Sequence, residues 1–597
     1  MKQNFRPVEQ YYTSYNIGQF GVNKAADKLI FATYLNGKSN LFEMNLPETY
    51  PYQFSNNNQS SGSILIDKQK RFVITSFDDD GDENHQLHIV PYQGGVPEKL
   101  FETEDGEKHL QYNFTQDENG LLFTTSKDNP NFLNVCRYDF ESDAVEVVHR
   151  GENYPTYFAG ESEDSKHIAL LQMRANTNSR GYVLDENGEK KLLTPDDSVV
   201  HITNNLSFIG KDKIFFITDY KKDFAYLASY DLVTDTFNEE LVIDGETFTS
   251  LKHDKDNDIL YIVTTKGVQH EFYRYDLASG DVFVIPKPVD LIYQIEIVDN
   301  GDLYILGAGA RTPNNIYQYS KKDAQWTQLT KNKVLGLEPD DLIEPEVVKY
   351  ESFDGLEIEA MLFRADASVA NGYTLFWPHG GPQAAEMKSY RAMFQVFLSR
   401  GYNVFTPNFR GSTGYGSEFT KMVEGDWGHG PRLDNVAGVE WLKKEGIADS
   451  DHLFLIGGSY GGYMALLLHG RHGDMFKAVV DIFGVSNLFT FVESVPDHWK
   501  PMMKQWVGDP VEDKARFEED SPITYLDTME KPMLIIQGVK DPRVVKAESD
   551  QIVEKLEELG RDVEYVVLED EGHGFSKKEN EILVYTKILE FFEKHKE

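Results

Sequence analysis

A serine flanked by glycines, Ser459, is the residue of this sequence best placed to act as a nucleophile. It stands in the segment 457–461, between an apolar run at 452–456 and a second apolar run at 463–468. A strand, a glycine-flanked serine and a helix form a nucleophile elbow, in which the glycines let strand and helix approach while the serine Oγ points outward. The five-residue pattern is too short to establish this role alone, so the serine needs partner residues.

Two residues further along the chain fall where such partners are needed. A serine hydroxyl is activated by a histidine base that a carboxylate orients, and on an α/β-hydrolase sheet the chain order is serine, acid, histidine. Asp541 follows the strand-like run 533–536, and His573 follows the run 564–568. The sequence therefore predicts a triad of Ser459, Asp541 and His573. The structural alternatives, a turn-forming aspartate before a proline and a histidine on a surface loop, do not account for the order.

The same chemistry needs two hydrogen-bond donors for the negatively charged oxygen of the tetrahedral intermediate. The backbone N–H of Tyr460, directly after the nucleophile, is predicted to be one of them. The loop 379–382, His-Gly-Gly-Pro, follows the predicted strand 374–377, and the N–H of Gly381 is predicted to be the other. His379 is expected to hold this loop by hydrogen bonding and not to act as a base.

Short apolar strands alternate with helical patterns after residue 345, and this alternation can position the predicted triad. It indicates an α/β-hydrolase domain over residues 341–597, with a mostly parallel sheet covered by helices on both faces. Asp434 is expected to cap or stabilise a helix. The predicted strands are 357–363, 374–377, 403–407, 453–456, 478–482, 533–536 and 564–568, and the predicted helices include 390–399, 433–444, 462–469, 546–559 and 579–596.

The first 340 residues contain a repeat of β-rich units. Seven apolar cores recur with separations of 43 to 49 residues, at 29–31, 72–74, 121–123, 168–170, 214–216, 260–262 and 303–305. A period of this length with about two visible strands per unit indicates a seven-bladed β-propeller over residues 1–340. The first blade is predicted to begin by about residue 27, and the segment Tyr11–Phe20 is predicted to complete the last blade.

The composition limits the kinds of partner that the protein is expected to bind and the compartment in which it is expected to lie. A net charge of −39 over 597 residues argues against nucleic-acid and anionic-membrane partners. No apolar run approaches eighteen residues, the first ten residues lack an apolar core, and Cys136 is the single cysteine. We therefore expect a cytoplasmic protein without a membrane span or an internal disulfide. No cofactor or metal is expected, because the acidic segment 78–84 lacks the spacing of an EF-hand.

Assembled, these motifs resemble the prolyl oligopeptidase family of serine peptidases, and within it the branch of acylaminoacyl peptidases and related oligopeptidases. The resemblance covers nearly the whole chain and is specific in its C-terminal part. Even the segment 78–84 resembles a blade loop of that branch. The motifs are 379–382, 408–416, 457–461, 541–543 and 571–575, together with the repeats.

The resemblance implies a propeller that caps the active site and admits only peptides or small molecules. It implies that Arg543 binds the carbonyl oxygen of the substrate residue before the cleaved one, with a salt bridge as the alternative. The first subsite is expected to include Phe489 and Phe491, and Trp506 is a further candidate, although core packing explains these aromatic residues equally well. The N-terminal arm that anchors the two domains in longer relatives is expected to be short or absent.

The leading functional hypothesis is hydrolysis of short peptides, in the acylaminoacyl or oligopeptidase mode. An esterase or amidase for small non-peptide molecules would use the same machinery, and an inert interaction scaffold is a third hypothesis. Dipeptidyl peptidases of the family bind a free amino terminus with paired glutamates from the propeller. Glu239 and Glu240 are the one candidate pair in the repeat region, and a solvated turn explains them as well. The expected partners are short peptides or small acyl substrates, and a homo-oligomer is left open.

Overall fold

The computed structural model describes residues 5–596 and divides their strands between seven four-stranded sheets and one eight-stranded sheet. The four strands of each small sheet are consecutive and antiparallel, as in the blades of a propeller. The bounds are β1 Ile17–Val22, β2 Lys28–Thr33, β3 Asn40–Asn45 and β4 Tyr52–Gln53; β5 Leu65–Ile66, β6 Phe72–Phe77, β7 Gln86–Pro91 and β8 Glu98–Lys99; β9 His109–Phe114, β10 Gly120–Thr125, β11 Asn134–Asp139 and β12 Ala144–Arg150; β13 Thr156–Glu161, β14 Ile168–Ala175, β15 Asn178–Leu184 and β16 Lys190–Leu192; β17 Thr203–Ile209, β18 Lys213–Thr218, β19 Tyr226–Asp231 and β20 Thr236–Leu241; β21 Thr247–Asp254, β22 Ile259–Lys266, β23 Gln269–Asp276 and β24 Val282–Val284; β25 Leu291–Ile297, β26 Leu303–Gly309, β27 Thr312–Ser320 and β28 Gln325–Gln328.

The repeated apolar cores are the second strands of the blades, which confirms the predicted seven-bladed propeller. Strands β2 and β10 are buried along their whole length, whereas the fourth strands β12 and β24 are largely exposed. A second strand packs against both neighbouring blades, so both of its faces must be apolar. The fourth strand lies at the outer edge of its blade, where solvent tolerates polar side chains.

The prediction that Tyr11–Phe20 completes the last blade is wrong. Strand β1 pairs with β2 inside the first blade, and the last blade has four strands of its own, β25 to β28. Apolar packing of Ile17 and Phe20 against Tyr304 and Leu306 closes the ring instead. The N-terminal segment does not have to supply a strand to the last blade, because β28 pairs with β27 and forms the outer edge of that blade.

An N-terminal arm, residues 5–16, docks on the second domain; it is short, which is one of the two alternatives expected from the sequence. It contains the short helix α1, Val8–Tyr11. Val8, Tyr11 and Tyr12 are buried in the same apolar core as the C-terminal helix. The ring of Tyr12 stacks on that of Tyr585, with centroids 6.0 Å apart. These aromatic contacts anchor the arm even though it contains only one helical turn.

The eight-stranded sheet has the order β29-β30-β32-β31-β33-β34-β35-β36 and is parallel from β32 to β36. Apolar residues cover it on both faces, which confirms the predicted α/β-hydrolase fold. Its strands are β29 Glu346–Glu351, β30 Glu357–Phe363, β31 Thr374–Phe376, β32 Asn403–Asn408, β33 Leu453–Gly458, β34 Val479–Ile482, β35 Met533–Gly538 and β36 Val563–Leu568. Its helices are α2 Ala392–Ser399, α3 Ser417–Lys421, α4 Gly430–Lys444, α5 Tyr460–His472, α6 Leu488–Ser494, α7 Met503–Trp506, α8 Lys514–Asp520, α9 Lys546–Glu558 and α10 Lys578–Lys594.

Strand β29 and the short helices α3, α6, α7 and α8 have no counterpart among the predicted elements. Strand β29 lies at the edge of the sheet, and Tyr350 is its one buried residue, so it lacks the apolar run by which the other strands were predicted. Four 3₁₀ segments, Pro339–Asp341, Gly473–Met475, Lys500–Met502 and Pro522–Thr528, complete the regular elements. Within residues 5–596 no helix combines the length and apolar character that a membrane crossing needs.

Candidate active site

Ser459 lies on the turn between β33 and α5 with φ 58° and ψ −123°, a backbone conformation that non-glycine residues rarely adopt. The turn is crowded by backbone on both sides. A Cβ atom at Gly457 would lie 2.1 Å from the carbonyl oxygen of Gly461, and one at Gly461 would lie 2.1 Å from that of Pro378. Larger residues are therefore excluded at both positions, as a nucleophile elbow requires.

The structure brings the three predicted triad residues together at the carboxyl ends of their strands. His573 Nε2 lies 2.8 Å from Ser459 Oγ, and His573 Nδ1 lies 2.6 Å from Asp541 Oδ2. Asp541 is buried, and its other oxygen accepts hydrogen bonds from the backbone N–H groups of Arg543 and Val544, each 2.9 Å long. The carboxylate is thus fixed in orientation and can stabilise a protonated imidazole.

The loop 379–382 lies against the nucleophile, as predicted. A Cβ atom at Gly380 would lie 3.3 Å from the Cβ of Ser459, so the backbone passes directly beside the serine. Gly381 has φ 135°, which favours glycine. Tyr460 is the first residue of α5, so its N–H has no acceptor within the helix. These positions are compatible with donors from Tyr460 and Gly381, and their role in binding an oxyanion remains a prediction.

His379 holds this loop from inside the hydrolase domain. It is 3% exposed, its Nδ1 lies 2.7 Å from the carbonyl oxygen of Gly380, and its Nε2 lies 2.8 Å from Ser412 Oγ. Burial lowers the pKa of His379 to about 4. The imidazole is therefore neutral near pH 7 and has both nitrogens engaged, which agrees with a supporting role.

Arg543 lies two residues after Asp541 and faces the propeller. Its Nε is 2.7 Å from Glu83 Oε1, and its guanidinium lies 5.8 Å from the ring of Trp499. The side chain is partly exposed. The salt bridge that was the alternative interpretation of Arg543 is therefore formed in this structure, and a contact of Arg543 with substrate remains a prediction.

The three aromatic residues predicted for the first subsite fall into two groups. Phe491 and Trp506 are buried against Trp427, with ring centroids 5.5 and 5.0 Å away. Trp427 in turn contacts Tyr460, the residue after the nucleophile, at 5.1 Å. Phe489 packs on α8. Only Phe491 and Trp506 thus belong to the aromatic cluster beside the elbow, and all three residues also serve as core.

Glu239 and Glu240 lie on β20, the outer strand of the fifth blade, and not on a turn. Glu239 pairs with Lys222 at 3.1 Å and Glu240 pairs with Lys213 at 3.0 Å. Their carboxylates are therefore engaged within the propeller, and the pair does not form an amine site in this structure.

A loop of the propeller contacts the catalytic loops directly, which the sequence did not reveal. We call residues 78–84, between β6 and β7, the clamp loop. Lys540, directly before Asp541, lies 3.2 Å from Asp79 Oδ2 and 3.1 Å from Asp80 Oδ2. Lys577 lies 2.9 Å from Asp80 Oδ1. The propeller thus binds the cationic residues that flank the acid and the base of the triad.

Backbone packing reinforces the clamp loop. A Cβ atom at Gly572, the residue before His573, would lie 2.0 Å from the carbonyl oxygen of Gly81, so the two chains touch without intervening side chains. Burial would raise the pKa of Asp80, but its ion pairs with Lys577 and Lys540 outweigh burial and leave that pKa below its ordinary value. The acidic segment and the cations beside the triad were visible in the sequence, but their pairing was not.

Two buried acidic residues hold segments of the hydrolase domain together. Asp434 does not cap α4, because it lies in the helix and binds Arg410 through contacts of 2.8 and 2.9 Å. Arg410 also pairs with Asp354, so it links Asp434 to the segment between β29 and β30. Glu571 is fully buried and accepts hydrogen bonds from the backbone N–H groups of Ser576 and Lys577, so it supports the loop that carries His573.

Residues 388–597, which include Ser459, Asp541 and His573, match the model of the prolyl oligopeptidase family. A dipeptidyl aminopeptidase BIII from Pseudoxanthomonas mexicana is 35% identical over 309 residues, which are 49% of this chain and 44% of that enzyme. The chain therefore matches less than half the length of this relative.

Solved structures are similar over the whole chain. A puromycin-hydrolysing peptidase of Mycobacterium tuberculosis has a TM-score of 0.85 at 18% identity, covering 100% of this chain and 96% of the other. The acylaminoacyl peptidase of Pyrococcus horikoshii has a TM-score of 0.74 at 19% identity, covering 99% and 97%. At these identities the structural matches establish the fold alone. The sequence match assigns residues 388–597 to the prolyl oligopeptidase family, and the structural matches extend the fold of such peptidases to the rest of the chain.

Proposed function

We propose that this protein hydrolyses short peptides through an acyl-enzyme formed on Ser459. The observation that carries the proposal is the unbroken line of contacts from Asp541 through His573 to Ser459, at 2.6 and 2.8 Å. These are the distances at which a base can accept the serine proton while a carboxylate stabilises the resulting imidazolium.

In the proposed reaction, Ser459 Oγ attacks the scissile carbonyl carbon while His573 Nε2 accepts the hydroxyl proton. The N–H groups of Tyr460 and Gly381 stabilise the oxyanion of the tetrahedral intermediate. His573 then gives its proton to the leaving nitrogen, and the C–N bond breaks to leave an ester on Ser459. Water repeats the sequence, with His573 accepting its proton and returning one to Ser459 Oγ.

Contacts around the seam between the domains favour short substrates. Asn178 Nδ2 in the fourth blade lies 3.1 Å from Gln505 Oε1, and the backbone N–H of Lys388 lies 2.9 Å from the carbonyl oxygen of Val268 in the sixth. The clamp loop contributes contacts from the second blade. A folded protein does not fit under a propeller held this closely, so we propose that only peptides and small molecules reach Ser459.

For the mode of cleavage we propose release of N-acylated residues or short oligopeptide fragments. Arg543 lies beside Asp541 and can donate to a carbonyl oxygen of the acyl part of the substrate. A second mode, release of dipeptides, is favoured by Glu83, which reaches the same place from the propeller and pairs with Arg543 at 2.7 Å. A free α-amino group could bind this carboxylate, and the Pseudoxanthomonas relative is named a dipeptidyl aminopeptidase.

A substrate panel tests the proposal. It compares N-acetyl-aminoacyl anilides, free dipeptidyl anilides, internally blocked peptides and p-nitrophenyl esters, with Ser459→Ala as the control. We expect turnover of at least one peptide class and its loss in the control. Turnover of esters alone would contradict the peptidase function and support an esterase.

Glu83→Gln separates the two modes. If Glu83 binds a free amine, the substitution raises KM for dipeptidyl anilides by about tenfold, the size expected for one lost charged contact. KM for N-acetyl-aminoacyl anilides should change little. An equal change for both classes would indicate that Glu83 acts only through Arg543.

A further inference from the structure

A cavity of about 230 Å³ lies in the seam between the domains, beside the N-terminal arm. We call it the seam cavity. Its walls come from the arm, the first and last blades, the segment before α2, and α10. Phe575 is its link to the triad, because the Phe575 ring lies 6.0 Å from that of Phe483, which lies 4.6 Å from the ring of His573. The cavity is therefore separate from Ser459 but next to the loop that carries the base.

Five of the fourteen residues that line the seam cavity are tyrosines. They come from the arm, the first blade, the segment before α2, and α10, and they are Tyr12, Tyr15, Tyr34, Tyr390 and Tyr585. Tyr12 is 2% exposed, yet its hydroxyl has no hydrogen-bond partner among residues 5–596. A buried hydroxyl without a partner is costly, and water or a ligand in the cavity can supply the missing partner.

One carboxylate faces these tyrosines. Glu581, in the first turn of α10, lines the cavity and makes no side-chain hydrogen bond or ion pair within the part of the chain that the structure describes. Burial, reinforced by the charge of Glu571, raises the pKa of Glu581 to about 7. Arg391, which also lines the cavity, is already engaged by Glu386 at 2.5 Å. Glu581 therefore forms no ion pair among the described residues, and the charge of nearby Lys578 only partly offsets the effect of burial on its pKa.

A metal ion does not suit this arrangement. The described residues contain no group of three or more histidine, cysteine, aspartate or glutamate side chains that could hold one. Aromatic walls around one carboxylate match instead the chemistry of an organic cation, which gains from ring faces, hydroxyl oxygens and a single opposite charge. The net charge of −39 also attracts cations to the protein.

We propose that the seam cavity is a binding site for a small organic monocation, a primary alkylammonium group, with Glu581 as its counter-ion and the tyrosines as its walls. The ammonium hydrogens reach the carboxylate and the Tyr12 hydroxyl, and the alkyl part lies among the rings. Such a ligand would contact the arm, the propeller and α10 at once. It would therefore stabilise the closed arrangement of the domains by mass action.

Isothermal titration with n-butylammonium chloride tests the site, using full-length protein blocked at Ser459 with a sulfonyl fluoride. We expect one site per chain, with affinity at least tenfold lower in Glu581→Gln. Glu579→Gln, on the exposed side of the same helix turn, is the matched control and should bind as the unsubstituted protein does. The uncharged isostere n-butanol should bind at least tenfold more weakly than the cation. Equal affinity in Glu581→Gln, equal binding of n-butanol, or no binding at all would overturn the proposal.

The pH dependence gives an independent readout. The charged or titratable groups around Glu581 are Tyr12, Tyr15, Tyr34, Tyr390, Tyr585, Arg391, Lys578 and Glu571. Burial raises the pKa of each of the five tyrosines, so they stay neutral up to pH 8. Because Glu581 must be ionised to bind a cation, affinity should rise about tenfold from pH 6 to pH 8. The rise should vanish in Glu581→Gln, and its persistence there would contradict the role of Glu581.

Discussion

The two halves of the candidate active site are held in place by different kinds of contact. The loop 379–382, which is predicted to supply an oxyanion donor and is called the oxyanion half, is fixed by a neutral, buried histidine and a serine hydroxyl of the same domain. The acid–base half, which carries Asp541 and His573, is flanked by ion pairs to the clamp loop, whose Asp80 lies 460 and 497 residues earlier in the chain than its two lysine partners. The first half should keep its geometry when the domains separate, whereas the second depends on their contact.

This difference indicates which half of the site can make the reaction rate depend on salt and on contact between the domains. Buried neutral hydrogen bonds respond little to salt or to neighbouring domains, whereas partly exposed ion pairs are screened by salt and are lost on separation. Substitutions in the two halves should therefore differ in kind as well as in size.

The largest effect should come from the centre of the acid–base half. Asp541→Asn keeps the shape of the side chain but removes the charge that stabilises the imidazolium, so kcat should fall about 10⁴-fold. Steady-state kinetics on the best substrate, with circular dichroism to check folding, measure it. A loss below tenfold would assign the acid to another residue.

A smaller loss is expected in the oxyanion half. His379→Gln removes one of the contacts that fix the loop, and displacement of a donor should lower kcat by about 10²-fold. Because His379 titrates only near pH 4, the midpoint of the acid limb of the kcat/KM profile should stay where it is. A shift of that midpoint would show that the two halves are electrostatically coupled.

Backbone contact across the seam should matter next. Gly81→Ala places a Cβ atom 3.1 Å from the backbone nitrogen of Gly572, so the loop of His573 must give way and kcat should fall about tenfold. Gly37→Ala is the control, because Gly37 has a similar positive φ in the first blade and open space around it. If the two substitutions had equal effects, backbone strain at a positive φ would explain the loss of activity, and the contact with Gly572 would not.

The smallest effect should come from removing one charge of the clamp loop. Asp80→Asn weakens pairs that are partly exposed, so we expect kcat/KM to fall about threefold. Activity of the unsubstituted protein should decline between about 0.05 and 0.5 M salt, and the variant should decline less. Asp105→Asn, at an exposed position of the propeller, should behave as the unsubstituted protein, and identical salt profiles for all three would contradict the comparison.

The pH dependence of the clamp follows from the same aspartate. Its pKa lies below the ordinary value in the folded protein, so its contribution to stability is complete above the ordinary aspartate pKa, near pH 4. It is lost as the pH falls through the lowered folded value. The difference in melting temperature between the unsubstituted protein and Asp80→Asn should therefore be constant from pH 5 to 8 and shrink in stronger acid.

The sequence predicted those features that depend on local pattern. Ser459, Asp541 and His573 each follow an apolar strand, and the strand ends of a parallel sheet lie together. The seven blades were visible because their second strands are buried on both faces. The edge strand β29 was missed because most of its residues are exposed.

Features that depend on how distant segments meet could not be predicted in this way. The pairing of Asp80 with Lys540 and Lys577 requires the orientation of one domain on the other, which no local pattern encodes. The stacking of Tyr12 on Tyr585 likewise depends on how two distant segments meet and is not encoded in a local pattern. Phe489 and Phe491 are two residues apart in the sequence, but the helix turns their rings toward different neighbours.

The docked N-terminal arm has a mechanical consequence. Both segments that pass between the domains, the arm and the linker after β28, run side by side, where Asn332 binds Tyr15 and Thr13 binds Leu335. A body tethered along one edge rotates about that edge, and displacement grows with distance from the axis. Asn178 of the fourth blade contacts Gln505 of the hydrolase domain. This contact lies on the opposite side of the propeller ring from the two connecting segments. Separation of the two domains should therefore begin at this contact, on the side of the molecule opposite the two connecting segments.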